Sequence, residues 1–183
     1  TSARHGRGDE AYWIIAPADP VPERAPVVVF VPGWAALSPD AYRGWIEHLA
    51  RRGHVVVCPM YQGSVLTLPH EFTDAAHSAV RDALERLERD GPVRPDLARA
   101  AVFGHSMGGV IATNLAGRGG AEGRGGLPRF RVLMAVQPAD ASSALRLGRG
   151  ILEDPGRVPE GTLALAVVGD RDRIAGDRMA RRI

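Results

Sequence analysis

Apolar and polar positions along the chain follow two alternating rhythms. The continuous apolar run at residues 27–31 (VVVFV) reads as a strand covered on both faces, and the apolar-rich stretches 54–59 (HVVVCP), 100–103 (AAVF), 130–136 (FRVLMAV) and 163–168 (LALAVV) read as further strands. Residues 11–16 (AYWIIA) add an earlier strand, and the proline-rich stretch 17–26 follows as a turn region. Between the runs, apolar residues recur at helical period. Residues 38–52 carry Tyr42, Trp45, Ile46 and Leu49 on one face, and 72–90 carry Val80, Ala83, Leu84 and Leu87. Ser38 is placed as the N-cap of the first helix, Pro39 as its first residue, and Gly53 as its stop. Gly91-Pro92 ends the second. Residues 1–10 read as a frayed lead-in, 117–128 as a glycine-rich surface loop, 141–147 as a short helix, and 177–183 as a helix beginning. Strands alternating with helices predict an α/β fold: one doubly wound, mainly parallel sheet with helices on both faces. Sites in such sheets lie at the carboxyl ends of the strands.

One of those ends carries a specific signal. Gly104-His105-Ser106-Met107-Gly108 has the G-x-S-x-G spacing of a nucleophile elbow. The serine must sit on a sharp turn so that its hydroxyl clears the sheet edge. The strand and the following helix then pass too closely for side chains, which calls for glycine at positions 104 and 108. With 22 glycines in the chain, the bare spacing also fits an ordinary glycine turn. The apolar strand before it, and Val110, Ile111, Asn114 and Leu115 at helical spacing after it, supply the context the elbow needs. Met107 is placed to offer its backbone N–H to an oxyanion. Residues 27–31 end in Pro32-Gly33-Trp34, where a glycine lets the chain bend over the serine turn and makes the Trp34 N–H a second donor. A plain strand-to-helix loop is the competing reading there. Asp172, Asp140 and Asp170 follow later strands and compete as the acid that orients a general base.

Composition narrows the picture from outside. The 183 residues suit one domain, and no apolar run approaches the roughly 20 residues of a membrane span. The net charge of +2 argues for neither nucleic acid nor an anionic surface. The basic residues are all arginine, a bias without a functional reading. Cys58 stands alone, metal-ligand spacings are absent, and no cofactor is implied. Nothing in the composition assigns a compartment.

The whole chain resembles the α/β-hydrolase fold, and within it the lidless, cutinase-like polyester hydrolases and the dienelactone-hydrolase-like and chlorophyllase-like esterases. The carrying residues are Val31-Pro32-Gly33-Trp34, Gly104-His105-Ser106-Met107-Gly108-Gly109 and Gly169-Asp170-Arg171-Asp172-Arg173-Ile174-Ala175. The resemblance implies a serine ester hydrolase acting on a small-molecule or polymeric ester. Ser106 would be the nucleophile, the Trp34 and Met107 amides the oxyanion donors, and Asp172 the acid, with Asp140 as the alternative. The competing class is a catalytically silent fragment or binding module of the same fold. One departure stands out. The fold's triad runs serine, acid, histidine in chain order, yet His5, His48, His54, His70, His77 and His105 all precede Asp172. His105 reads as a packing residue, and His70 as the best-placed substitute base. The expectation is that residues 1–183 are one domain lacking its last strand, that the base lies beyond Ile183, and that these residues alone are inactive.

Overall fold

The run at residues 27–31 is the buried end of the central strand, and the sheet grows outward from it. The computed structural model describes residues 1–119, 126–140 and 150–183. The strands are β1 (Ser2–His5), β2 (Tyr12–Ile15), β3 (Arg24–Val31), β4 (Val55–Pro59), β5 (Arg94–His105), β6 (Val132–Val136) and β7 (Leu163–Val167). They form one sheet in the order β1-β2-β4-β3-β5-β6-β7. β1 and β2 run antiparallel to their neighbours, and the other pairs are parallel. The helices are α1 (Arg43–Arg51), α2 (Phe72–Asp90) and α3 (Met107–Arg118).

Successive residues of β3 and β4 bury into opposite faces, as the pleat requires. Val27, Val29, Val31, Val55 and Val57 pack with α2 and α3, around Phe72, Val80, Leu84, Leu87, Ile111 and Leu115. Phe30, Val56 and Cys58 pack with α1 through Ile46 and Ala50, and Tyr42, Trp45 and Leu49 close that layer half-buried. Burying each large side chain contributes about 1.5–3 kcal/mol. Burial also pushes the Cys58 thiol up, which keeps it an inert core residue. The mainly parallel sheet with helices on both faces is as the sequence pattern requires.

Several local expectations are corrected. Residues 2–5 are not a frayed lead-in but an edge strand, registered Ser2↔Ile15 to His5↔Tyr12. The first helix is split. Ser38 accepts from the Asp40 amide as expected, but Pro39–Tyr42 winds as a 3-10 turn before α1 begins. β5 starts well before residue 100, and the three residues between Asp96 and Ala100 leave the ladder opposite the Pro26/Val27 step. α3 continues through Gly117 to Arg118, into the expected loop. Residues 177–183 close hydrogen-bonded turns, Arg181 to Asp177 and Ile183 to Met179, rather than a regular helix. The expected helix at 141–147, and part of the glycine-rich loop, lie outside the described residues.

Candidate active site

The elbow has the geometry its spacing demands. β5 ends at His105, α3 begins at Met107, and Ser106 between them sits at φ 54°, ψ −124°. A side-chain-bearing residue is seldom held there unless its surroundings over-determine it. The glycines explain how. A Cβ on Gly104 would overlap the Gly108 carbonyl, and one on Gly108 would overlap the Val31 and Pro32 carbonyl oxygens. Ser106 is itself bonded on both sides. Its amide donates to the Val136 carbonyl at 3.0 Å, and its carbonyl accepts from Gly109 at 2.9 Å and Ala139 at 3.2 Å. Thus β6 holds the turn from one flank.

The Gly33–Trp34 loop holds the other flank. A Cβ on Gly33 would lie 3.5 Å from the Ser106 Cβ, so this loop runs beside the serine. The Trp34 and Met107 amides donate to no other described residue. The Trp34 ring turns inward against Phe72, at 6.4 Å between centroids, and packs on the core. Its Nε1 is buried without a hydrogen-bond partner among the described residues.

The acids differ in their surroundings. Asp172 lies just past β7, half-buried. Its Oδ2 accepts from Gln137 Nε2 at 2.9 Å, and its Oδ1 accepts from the amides of Ile174 (2.8 Å) and Ala175 (3.2 Å). Asp140 accepts the Ile151 amide at 2.8 Å, a bond that joins the two ends of the 140–151 stretch. Asp170 is exposed. His105 Nδ1 lies 2.9 Å from the Tyr42 hydroxyl, and His70 is exposed beside Glu71. A groove of about 1210 Å³ runs along α1 and is walled by Trp13, Ile15, Pro20 and Ile46; Ser106 is not part of it.

Four side chains here carry more than the sequence suggested. Tyr42 was expected only as core. Tyr61 and Gln62 follow β4 outside any regular element, yet both are buried. Gln137 belongs to no motif in the sequence. Each of the last three follows closely on the carboxyl end of a central strand, β4 or β6, and that position was the available signal.

The chlorophyllase family model matches residues 7–169. The chain belongs to the chlorophyllase family. The matched stretch of this chlorophyllase-family chain runs from before β2 to the end of β7, includes the elbow, and stops short of Asp172. No curated protein matches it. Solved structures similar to it are α/β-hydrolase esterases. The thermophilic esterase Est2 of Thermogutta terrifontis has a TM-score of 0.66 at 21% identity, over 93% of this chain and 69% of its own. Esterase B of Lactobacillus rhamnosis HN001 has a TM-score of 0.60 at 22% identity, over 85% and 53%. Esterase LipW of Mycobacterium marinum has a TM-score of 0.59 at 25% identity, over 76% and 44%. The chlorophyllase-family chain thus has the α/β-hydrolase fold, and spans about half the length of the last two enzymes. No helix among its described residues is long and apolar enough to cross a membrane.

Proposed function

We propose that this chain carries the nucleophile and oxyanion site of a serine carboxylic-ester hydrolase. The observation that carries the reading is Ser106 held at positive φ on a glycine-flanked turn, with the Gly33–Trp34 loop alongside. Ser106 Oγ attacks the ester carbonyl, and a general base takes its proton. The carbonyl oxygen becomes an oxyanion held by the Trp34 and Met107 amides. Collapse of that intermediate expels the alcohol, which receives the proton from the base, and leaves an acyl-enzyme. Water then attacks by the same path and releases the acid. Asp172 orients the base, a role its place past β7 supports, whereas Asp140 is occupied tying the 140–151 stretch.

The base is proposed to be a histidine outside residues 1–183, on chain that covers β7. The support is the strand itself: every residue of β7 is exposed, with Leu163 at 68% and Leu165 at 51%. On this reading residues 1–183 are one domain that continues. Substrates are esters, by likeness to the esterases above, and the cutinase-like resemblance of the sequence extends the class to polymeric esters.

A second reading, a silent module of the same fold, draws on Asp172, whose two carboxylate oxygens are both engaged by partners other than histidine. Turnover of p-nitrophenyl butyrate by the full-length protein and by its Ser106→Ala variant separates the two. The hydrolase reading expects a loss of about 10⁶ in kcat with the fold retained. A silent module turns over nothing in either form.

A further inference from the structure

The loop that bears the Trp34 amide is fastened on both sides of it, at Pro32, Gly33, Ala35 and Ala36. The Pro32 carbonyl accepts from the Tyr61 hydroxyl at 2.9 Å, and the Gly33 amide donates to the Tyr42 hydroxyl at 2.9 Å. The Gly33 carbonyl accepts from the Ala36 amide at 3.2 Å, closing a turn, and Gln62 Nε2 lies 3.5 Å from it. The same Nε2 is 3.5 Å from the Ala36 carbonyl, while Gln62 Oε1 accepts the Ala35 amide at 3.1 Å. Gln62 is 1% exposed.

Two physical points give this arrangement a direction. The first is peptide geometry. A trans peptide is planar, with its C=O and N–H pointing opposite ways. Fastening the Gly33 carbonyl toward Gln62 and Ala36 therefore aims the Trp34 N–H away from them. The second is strain. Ala35 sits at φ 68°, in the third position of the turn, where glycine or asparagine is usual. An alanine there relaxes by flipping the Trp34–Ala35 peptide unless something holds it, and Gln62 Oε1 holds its N–H. The amide side chain of Gln62 thus grips the peptides on both sides of Trp34. Tyr42 adds the link to the nucleophile: its hydroxyl joins the Gly33 amide to His105, the residue before Ser106.

We propose that Gln62 is the positioning residue of the oxyanion hole, aiming the Trp34 amide at the reacting carbonyl oxygen, with Tyr42 bracing the same loop against the nucleophile turn. The proposal rests on the hydrolase reading above. It makes a distinctive demand: the oxyanion exists only in the transition state and tetrahedral intermediate. Loosening its donor must lower kcat and leave ground-state binding alone.

The test uses the full-length enzyme, p-nitrophenyl butyrate, and an alkyl trifluoromethyl ketone that captures the serine as an anionic hemiketal. Gln62→Met keeps the volume and removes both bonding ends. It is expected to lower kcat by about 10- to 100-fold, short of the 10²–10³ seen when a donor is lost outright. KM should stay within about twofold, and ketone affinity should fall by the same factor as kcat/KM. Tyr42→Phe, which keeps the ring, is expected to lower kcat by about three- to tenfold on the same pattern, and it decides the matter if Gln62→Met does not fold. Asn114→Leu is the control. It removes an equally buried amide that bonds Thr73 and Ile151 instead, and should lower the melting temperature without changing kcat beyond about twofold. Ser106-dependent turnover that is unchanged in Gln62→Met and Tyr42→Phe, or altered only in KM, overturns this assignment alone. Turnover that survives Ser106→Ala overturns it together with the hydrolase reading.

Discussion

The two halves of the candidate site stand on opposite sides of β5, and they are built to different standards. On the β3–β4 side both faces of the sheet are covered, and Val55–Pro59 is buried along its whole length. The loops leaving those strands are pinned by Tyr42, Tyr61 and Gln62. On the β6–β7 side one face of β6 is covered and neither face of β7. Leu133 and Ala135 are buried, but Val132, Met134 and Val136 are half-exposed, and β7 is exposed throughout. Asp172 hangs from that side. Ser106 and the Gly33–Trp34 loop, proposed as nucleophile and oxyanion site, thus adjoin well-covered strands, whereas Asp172, the proposed acid, follows a strand whose surroundings supply little packing. What the contrast teaches is that the strained turn draws on both halves: the Val31 and Pro32 carbonyls crowd Gly108 from the covered side, and Val136 and Ala139 bond Ser106 from the open one.

The largest test of that contrast is steric. Gly104→Val places side-chain atoms into the Gly108 backbone, so the elbow cannot keep both its strand and its helix. We expect a loss of at least about 4 kcal/mol, read as collapse of the cooperative circular-dichroism melt. Gly169→Ala is the matching change on the acid side. Its Cβ meets Asp172 Cβ at 3.5 Å, an ordinary contact, and stability should change by less than about 1 kcal/mol. Similar melts for the two variants would erase the difference between the halves.

The next concerns the acid. In the full-length enzyme, Asp172→Asn should lower kcat by about 10⁴, as expected when the base loses its orienting carboxylate. Asp140→Asn should cost far less activity, and about 1 kcal/mol of stability through the Ile151 amide. Reversed losses would move the acid to Asp140.

The smallest effect sharpens the contrast at β7. Leu165→Arg should leave the melting temperature of residues 1–183 within a few degrees, because Leu165 is already half in solvent. In the full-length protein the same change should cost about 2–4 kcal/mol if further chain covers that face, since it would bury an unpaired charge. Equal melts in both contexts would leave the proposed cover without support.

Much of the covered half was legible in the sequence, and for a physical reason. Apolar runs such as VVVFV and HVVVC need no partner to be recognised, because burial on both faces removes polar residues altogether. Glycine at 104 and 108 was legible because no other residue fits between passing backbones. The edge strand at residues 2–5 was not, since SARH is exposed and its pairing with β2 depends on backbone bonds that any residue makes. Gln62 and Gln137 were hidden for a related reason. A glutamine in a loop normally faces water, and only the folded chain shows one buried between Gly33 and Ala36 and the other bonded to Asp172.

The central claim is that Ser106 is the nucleophile, and covalent capture tests it without assuming a substrate. The full-length protein is treated with a fluorophosphonate, digested, and the adduct located by mass spectrometry. The account predicts one phosphonyl group on the peptide that contains Ser106, and none in the Ser106→Ala variant. A protein that hydrolyses p-nitrophenyl butyrate yet carries the label on another residue, or carries none, would contradict it.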